Sequence, residues 1–291
     1  MTANESIFYQ PEALPVEADC ILWGLPWDNT VTGRPGARFG PHAIRRATLQ
    51  TEDFSPYSRH DISDIKIHDA GDVDLPFGDT GKSLGLIYAE ASALLQYDKP
   101  LITLGGEHLI TYPLIQAFYE KYADNLFVIQ CDAHADLRTD YMDVTLSHAT
   151  VMHLIHELIG ISNTAAVGIR SGSQQEWAIL DTHPYYFGGV SGKSIEEFEP
   201  FAQENFTNRK LYITLDLDVF DPGILPGTGT PEPGGIGFKE FISLIKVLRT
   251  FDIVGADIVE LAPEYDTSGI SNALAAAVLR ELLLTSGGKH D

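Results

Sequence analysis

Leu126-Phe127-Val128-Ile129-Gln130-Cys131-Asp132-Ala133-His134-Ala135-Asp136 is the stretch from which the rest of the chain is read. Its first six residues form an apolar run that reads as a buried strand, and its last five place three hard metal ligands at that strand's carboxyl end. Open α/β sheets put their ligand sites there. Leu211 to Leu215 leads in the same way into Asp216-Leu217-Asp218, and Leu101-Ile102-Thr103-Leu104 leads into Gly105-Gly106-Glu107-His108. Alternation along a strand puts Asp132, His134 and Asp136 nominally on one face, and Asp216 and Asp218 on one face of theirs. Two strand residues rise roughly 6.6 Å, so one Asp-x-Asp pair can serve two ions about 3.5–4 Å apart. Asp132 and Asp136 would stand roughly 13 Å apart in a straight strand, so the chain must curl after His134.

A single D-x-H-x-D run also fits an ordinary acidic loop. Three strand ends with the same chemistry do not. Buried carboxylates without partners repel one another and have their pKa values pushed up. The four negatives of Asp132, Asp136, Asp216 and Asp218 balance two divalent cations, with His108 and His134 neutral. Oxygen and imidazole donors without a thiolate suit a hard or borderline divalent ion.

Strand patterns recur at Cys20–Gly24, Pro100–Leu104, Leu126–Cys131, Thr164–Ile169, Tyr185–Phe187, Leu211–Leu215 and Ile253–Val259. Most are continuous apolar runs, as expected of a parallel sheet covered on both faces. Helical periodicity lies between them, at Leu84, Ile87, Tyr88, Ala91, Leu94 and Leu95, and at Phe238, Phe241, Ile242, Ile245 and Leu248. A last helix is expected over about Ile270 to Leu284. The alternation implies right-handed crossovers and a doubly wound α/β sheet. No linker composition divides the chain, so residues 1–291 read as one domain.

A net charge of −22 argues against nucleic acid, which needs a basic footprint, and favours a small cation by long-range steering. Cys20 and Cys131 both fall in apolar strands and read as core thiols of a reducing compartment. No signal sequence and no membrane-length apolar run is visible, which points to the cytoplasm.

LGGEH, DAHADLR, LSHATVM, VGIRSGSQQEW, TLDLDVFDPGILPGTGTPEPGG and DIVELAPEYD occur here in the order seen in the ureohydrolases, the arginase–agmatinase family. The chain resembles that family from Ile21 to Leu284, including Gly24 to Arg46, and PGTGTPEPGG and ELAPEYD look closer to agmatinases than to arginases. Leu109 departs from the family's usual Ser or Thr. The resemblance implies a three-layer, mostly parallel, eight-stranded sheet and two Mn2+ ions per chain. It assigns His108, Asp132, Asp136 and Asp216 to one ion, and Asp132, His134, Asp216 and Asp218 to the other, with Asp132 and Asp216 bridging. It also implies a homo-oligomer, a trimer or hexamer.

The chemistry so implied is attack of a metal-bridging hydroxide on a guanidinium carbon. Agmatine is the expected substrate, giving urea and putrescine for polyamine synthesis. Asp136 would carry the leaving amine's proton. Glu260 matches the guanidinium-binding glutamate, and a carboxylate pairs with that planar cation in a fork. His148 matches a proton-transfer or substrate-contact residue. Arg138 allows two readings, a contact to a guanidino acid such as 4-guanidinobutyrate or a structural pair with Asp140, Asp143 or another acid. Three further readings compete with agmatine hydrolysis: a longer-tailed polyamine precursor as substrate, a non-catalytic metal-binding scaffold, and a one-metal zinc deacetylase. His153 and His156 read as structural and Asp221 as a loop-holding acceptor. The loop from Pro222 to Gly235 is expected to wall the site, its glycines letting backbone approach a ligand.

Overall fold

Runs that are apolar at every position can be satisfied only between two covering layers. Such runs make most of the strands β1 (Cys20–Leu25), β2 (Ile67–Asp72), β3 (Leu101–Gly105), β4 (Leu126–Cys131), β5 (Thr164–Val167), β6 (Tyr186–Phe187), β7 (Lys210–Asp216) and β8 (Asp252–Val259). The computed structural model describes residues 7–10, 12–190 and 192–288. The strands form one eight-stranded sheet in the order β2-β1-β3-β8-β7-β4-β5-β6. Every pairing between them is parallel.

Alternation divides each strand between two cores. On β4, Phe127, Ile129 and Cys131 join the core on one face, and Leu126 and Val128 the core on the other. The first core is closed by α1 (Gly40–Thr48), α6 (Phe198–Asn205), α7 (Phe238–Leu248) and α8 (Ile270–Gly287). The second is closed by α2 (Thr80–Leu94), α3 (Thr111–Tyr122), α4 (Val151–Ile159) and Leu180 of α5 (Gln174–Leu180). The expected three-layer α/β architecture is therefore present. Both cysteines are free and buried in the first core, and burial pushes their thiols up to about 12.

β2 is the strand that periodicity does not announce. Ile-His-Asp-Ala-Gly-Asp is largely polar because it lies at the sheet edge, where one flank has no partner strand. Two of its carboxylates serve Arg45 of α1, with Asp69 accepting at 2.8 and 2.9 Å and Asp72 at 2.5 Å. β5 stops before the expected Ile169 because Gly168 takes a φ of 91°, which ends the extended backbone. Among the described residues no helix is long and apolar enough to cross a membrane.

Two histidines sit under the sheet's far end. His156 and His183 each place Nε2 3.1 Å from Oγ1 of Thr164, whose own hydrogen goes to the Ile161 carbonyl. Both Nε2 atoms are therefore donors, and the His183 ring is neutral because its Nδ1 accepts the Tyr185 amide at 3.0 Å. Burial pushes His156 down to about 3 and His183 down to about 4. An unfolded histidine titrates near about 6.5. Between that pH and about 4 the unfolded chain binds protons that the native chain does not, so acid costs stability across this window. The urea midpoint is expected to fall from pH 7 to pH 5, and to fall less in His156→Gln/His183→Gln. An equal fall in the two proteins would refute this account.

Candidate metal centre

β3, β8, β7 and β4 are neighbours in the sheet, so their carboxyl ends form one continuous line. The residues just past those ends converge: His108 after β3, Glu260 after β8, Asp216 and Asp218 at β7, and Asp132, His134 and Asp136 after β4. The strand does not continue through the acidic motif, as simple alternation would have it. β4 ends at Cys131, and the next residues bond to the segment after β5, with the Ala133 carbonyl accepting from Arg170 and Ser171 at 2.8 and 2.9 Å. The expected curl is completed at Asp136, whose φ is 52°. Glu260 is likewise left-handed, with a φ of 65°. Such backbone costs on the order of 1 kcal/mol or more in a non-glycine residue and persists only where its surroundings enforce it.

Two clusters result. In the first, His108 Nδ1 lies 3.2 Å from Asp132, 3.2 Å from Asp136 and 3.5 Å from Asp216. In the second, His134 Nδ1 lies 2.9 Å from Asp218 and 3.8 Å from Asp132. Asp132 is common to both. Asp216 stands at the first cluster through Oδ2, while its Oδ1 accepts the Asp218 amide at 2.8 Å.

These residues fit divalent ions on the evidence of one nitrogen. His108 Nδ1 is fully buried and makes no hydrogen bond. Its other nitrogen is committed: Nε2 meets Thr214 Oγ1 at 2.8 Å, and Thr214 in turn donates to Asp257 at 2.8 Å. Asp257 also accepts from Thr111 and Tyr212, so Thr214 has no hydrogen to offer the ring. A proton therefore sits on Nε2, and Nδ1 is the atom on which three carboxylates converge. Burial opposes charge on this ring, but Asp132, Asp136 and Asp216 outweigh it and hold its pKa well above the ordinary value, so a positive charge belongs at Nδ1, as a second proton or as a metal ion. Burial, then Asp136 and Asp218, push Asp132 up to about 7. Asp216 is raised by burial and by Asp218. Burial opposes charge on His134, but Asp218 outweighs it and pushes the imidazole up to about 11. A divalent ion in each cluster would take the place of these protons, leaving the acids ionised and the imidazoles neutral.

Above the clusters lies a cleft of about 240 Å³ walled by Thr32, Arg138, Tyr141, His148, Glu176 and Thr230. Glu260 reaches it while only 7% exposed. Burial, then Glu107, push the Glu260 carboxyl up to about 8. Its Oε1 accepts the His108 amide at 2.8 Å. His148 places Nδ1 3.0 Å from the Thr30 carbonyl, so the neutral ring keeps its proton there and Nε2 is bare. Burial lowers its pKa. Arg138 pairs with neither Asp140 nor Asp143; its Nε lies 3.5 Å from Glu176, and its guanidinium lies 5.0 Å from the Tyr141 ring centre.

The glycine-rich loop does wall the cleft, through Thr230, and Asp221 holds it by accepting amides of Gly223, Gly234 and Gly235. Leu109 simply packs in the second core. Sequence reasoning leaves Gln130, Arg170 and Asp257 without roles, although each lies in or beside one of the motifs. Gln130 donates to Asp132 and to the His134 carbonyl, both at 3.0 Å. Arg170 spends its guanidinium on six carbonyls, those of Gly168, Asp218, Val219, Phe220, Glu232 and Pro233.

The family model for the arginase family matches residues 18–285. An agmatinase from Bacillus subtilis (strain 168) is 42% identical over 272 residues, which is 92% of each chain. The crystal structure of the agmatine ureohydrolase of Thermoplasma volcanium superposes with a TM-score of 0.83 at 30% identity, covering 94% of this chain and 92% of that one. Proclavaminate amidino hydrolase from Streptomyces clavuligerus superposes with a TM-score of 0.86 at 29% identity, covering 98% and 97%.

Because the folded state alone assembles the clusters, a divalent cation should stabilise it. At 100 times Kd the gain is about 2.7 kcal/mol, which is worth several degrees in a domain of this size. Thermal unfolding should therefore show a midpoint that rises with Mn2+ and falls with a chelator, and the rise should shrink in Asp218→Ala. A midpoint indifferent to both additions would rule out the clusters as ion sites.

Proposed function

Since the chain belongs to the arginase family, we propose that it is a ureohydrolase that holds two manganese ions and converts agmatine to putrescine and urea. Glu260 carries this reading. It is a buried carboxylate fixed beside the candidate ions by the His108 amide, at a cleft whose other walls leave a planar cation room to pair with it in a fork. Bound divalent ions would supply Lewis acidity and a water acidified toward neutral pH. The remaining work falls to side chains. His108, Asp132, Asp136 and Asp216 would hold one ion, and Asp132, His134, Asp216 and Asp218 the other. His148, neutral with Nε2 bare, can take a proton, and Asp136 can hand one to the leaving amine.

The choice of tail rests on two observations. Relatives named for agmatine cover 92% and 94% of the chain. Arg138, the one arginine or lysine among the described residues of the cleft wall, has its Nε beside Glu176 and its guanidinium near Tyr141, which weighs against its serving a substrate carboxylate. An acid tail, as a guanidino acid carries, is the second reading, and it would have to be met by the two terminal nitrogens of Arg138, the Nε being the atom beside Glu176. The acidic surface also attracts a dication by long-range steering.

A substrate panel on manganese-loaded protein, scored by urea release, tests the assignment. Agmatine should exceed arginine and 4-guanidinobutyrate in kcat/KM by about 10-fold or more, and Arg138→Ala should change the agmatine value less than about 3-fold. Preference for 4-guanidinobutyrate that disappears in Arg138→Ala would replace agmatine by a guanidino acid.

Glu260→Gln keeps the side chain's shape and removes its charge. It should retain two ions per chain by elemental analysis while kcat/KM for agmatine drops by about 10²-fold, the scale of losing one partner of a buried charge pair. Unchanged kcat/KM would deny Glu260 the guanidinium.

A further inference from the structure

Glu107 precedes His108, is fully buried, and belongs to neither ion cluster. The turn that carries it presses on the loop after β1. A Cβ on Gly106 would lie 1.9 Å from the Trp27 carbonyl oxygen, and that same oxygen accepts the Glu107 amide at 2.8 Å. This approach delivers the Glu107 carboxylate to Thr30. One oxygen accepts the Thr30 amide at 2.7 Å, and the other accepts the Thr30 hydroxyl.

Thr30 then meets His148 twice. Its hydroxyl oxygen, having given its hydrogen to Glu107, accepts the His148 amide at 3.1 Å. Its carbonyl accepts the ring proton on Nδ1 at 3.0 Å. A carbonyl can only accept, so this contact selects the Nδ1–H form of the neutral ring and leaves Nε2 free for proton transfer. A carboxylate suits the buried end of this chain because it accepts from both Thr30 donors and offers no hydrogen of its own. Glutamine would turn an N–H toward one of them.

We propose that Glu107 and Thr30 form a positioning relay that sets the ring orientation and tautomer of His148. The proposal rests on the reading of His148 as a proton-transfer residue. It goes beyond stapling the loop, because the Thr30 carbonyl that these bonds aim accepts from the imidazole itself. The relay predicts a specific kinetic pattern. Thr30→Val removes the hydroxyl that joins Glu107 to His148, while keeping the side chain's shape.

The test uses full-length protein loaded with manganese and agmatine as substrate. Thr30→Val should keep two ions per chain and lower kcat about 10-fold, the scale of an outer-shell partner. KM should stay within about 2-fold, and Thr30→Ser should restore the rate. In a His148→Asn background Thr30→Val should cost nothing further, as residues acting through one group are not additive. Additive losses, or a loss confined to KM, would overturn the relay. The ring nitrogens of His148, followed by 15N NMR in zinc-loaded protein, give a readout independent of rate. Nδ1–H alone is expected in the native protein, and a tautomer mixture in Thr30→Val or Glu107→Gln. Pure Nδ1–H in both variants would overturn the relay as well. A His148→Asn variant with native kcat would instead remove the proton-transfer reading, and the NMR result would still judge the relay.

Discussion

The crowding of four buried carboxylates around two imidazoles is the constraint on which this structure turns. Asp132, Asp136 and Asp216 crowd the Nδ1 of His108, and Asp218 stands beside His134. Nothing in side-chain chemistry alone would gather them. They are gathered because an all-parallel sheet ends its strands on one side, and because β3, β8, β7 and β4 are adjacent although distant in sequence. Backbone bonding fixes where each carboxylate begins, so repulsion cannot disperse the group without breaking the sheet. The free energy for holding it comes from the two apolar cores on either face.

Repulsion among the acids also explains the layer of polar residues just behind them. Thr214 and Asp257 commit one face of His108, and Gln130 braces Asp132 against the carbonyl of His134. Each is buried within a strand that is otherwise apolar. Their hydrogen bonds set which atom of each ligand points inward, a matter that the ligands cannot decide for themselves. The two left-handed residues, Asp136 and Glu260, belong to the same account, since the local backbone is bent to aim a carboxylate.

This division also marks what the sequence disclosed and what it withheld. The convergence of six acids and imidazoles from the ends of apolar runs was legible, since burial and charge conflict there without a cation. Seven strands were legible for the same reason, as unbroken apolar runs admit few other fates. β2 was not, because an edge strand can carry His68, Asp69 and Asp72 without penalty. Glu107, Gln130, Arg170 and Asp257 sat in plain view in or beside the motifs, yet their meaning is nonlocal. The partner of Glu107 lies 77 residues away and that of Asp257 lies 43 residues away through Thr214. No local pattern encodes such a pairing. Arg138 was ambiguous for a related reason, as the acid that engages it, Glu176, lies beyond the neighbouring aspartates that proximity suggested.

Arg170 fastens the glycine-rich wall of the cleft by main-chain oxygens alone, at Glu232 and Pro233 on the loop and at Asp218, Val219 and Phe220 just before it. Every amino acid supplies a carbonyl, so this clasp is blind to the identity of the residues it holds. The side chains at Glu232 and Pro233 can therefore change without loosening this clasp, whereas Gly235 beside them cannot, since a Cβ there would meet the Asp221 amide nitrogen at 2.4 Å; such a wall can be retuned toward differently shaped substrates at some positions and not at others.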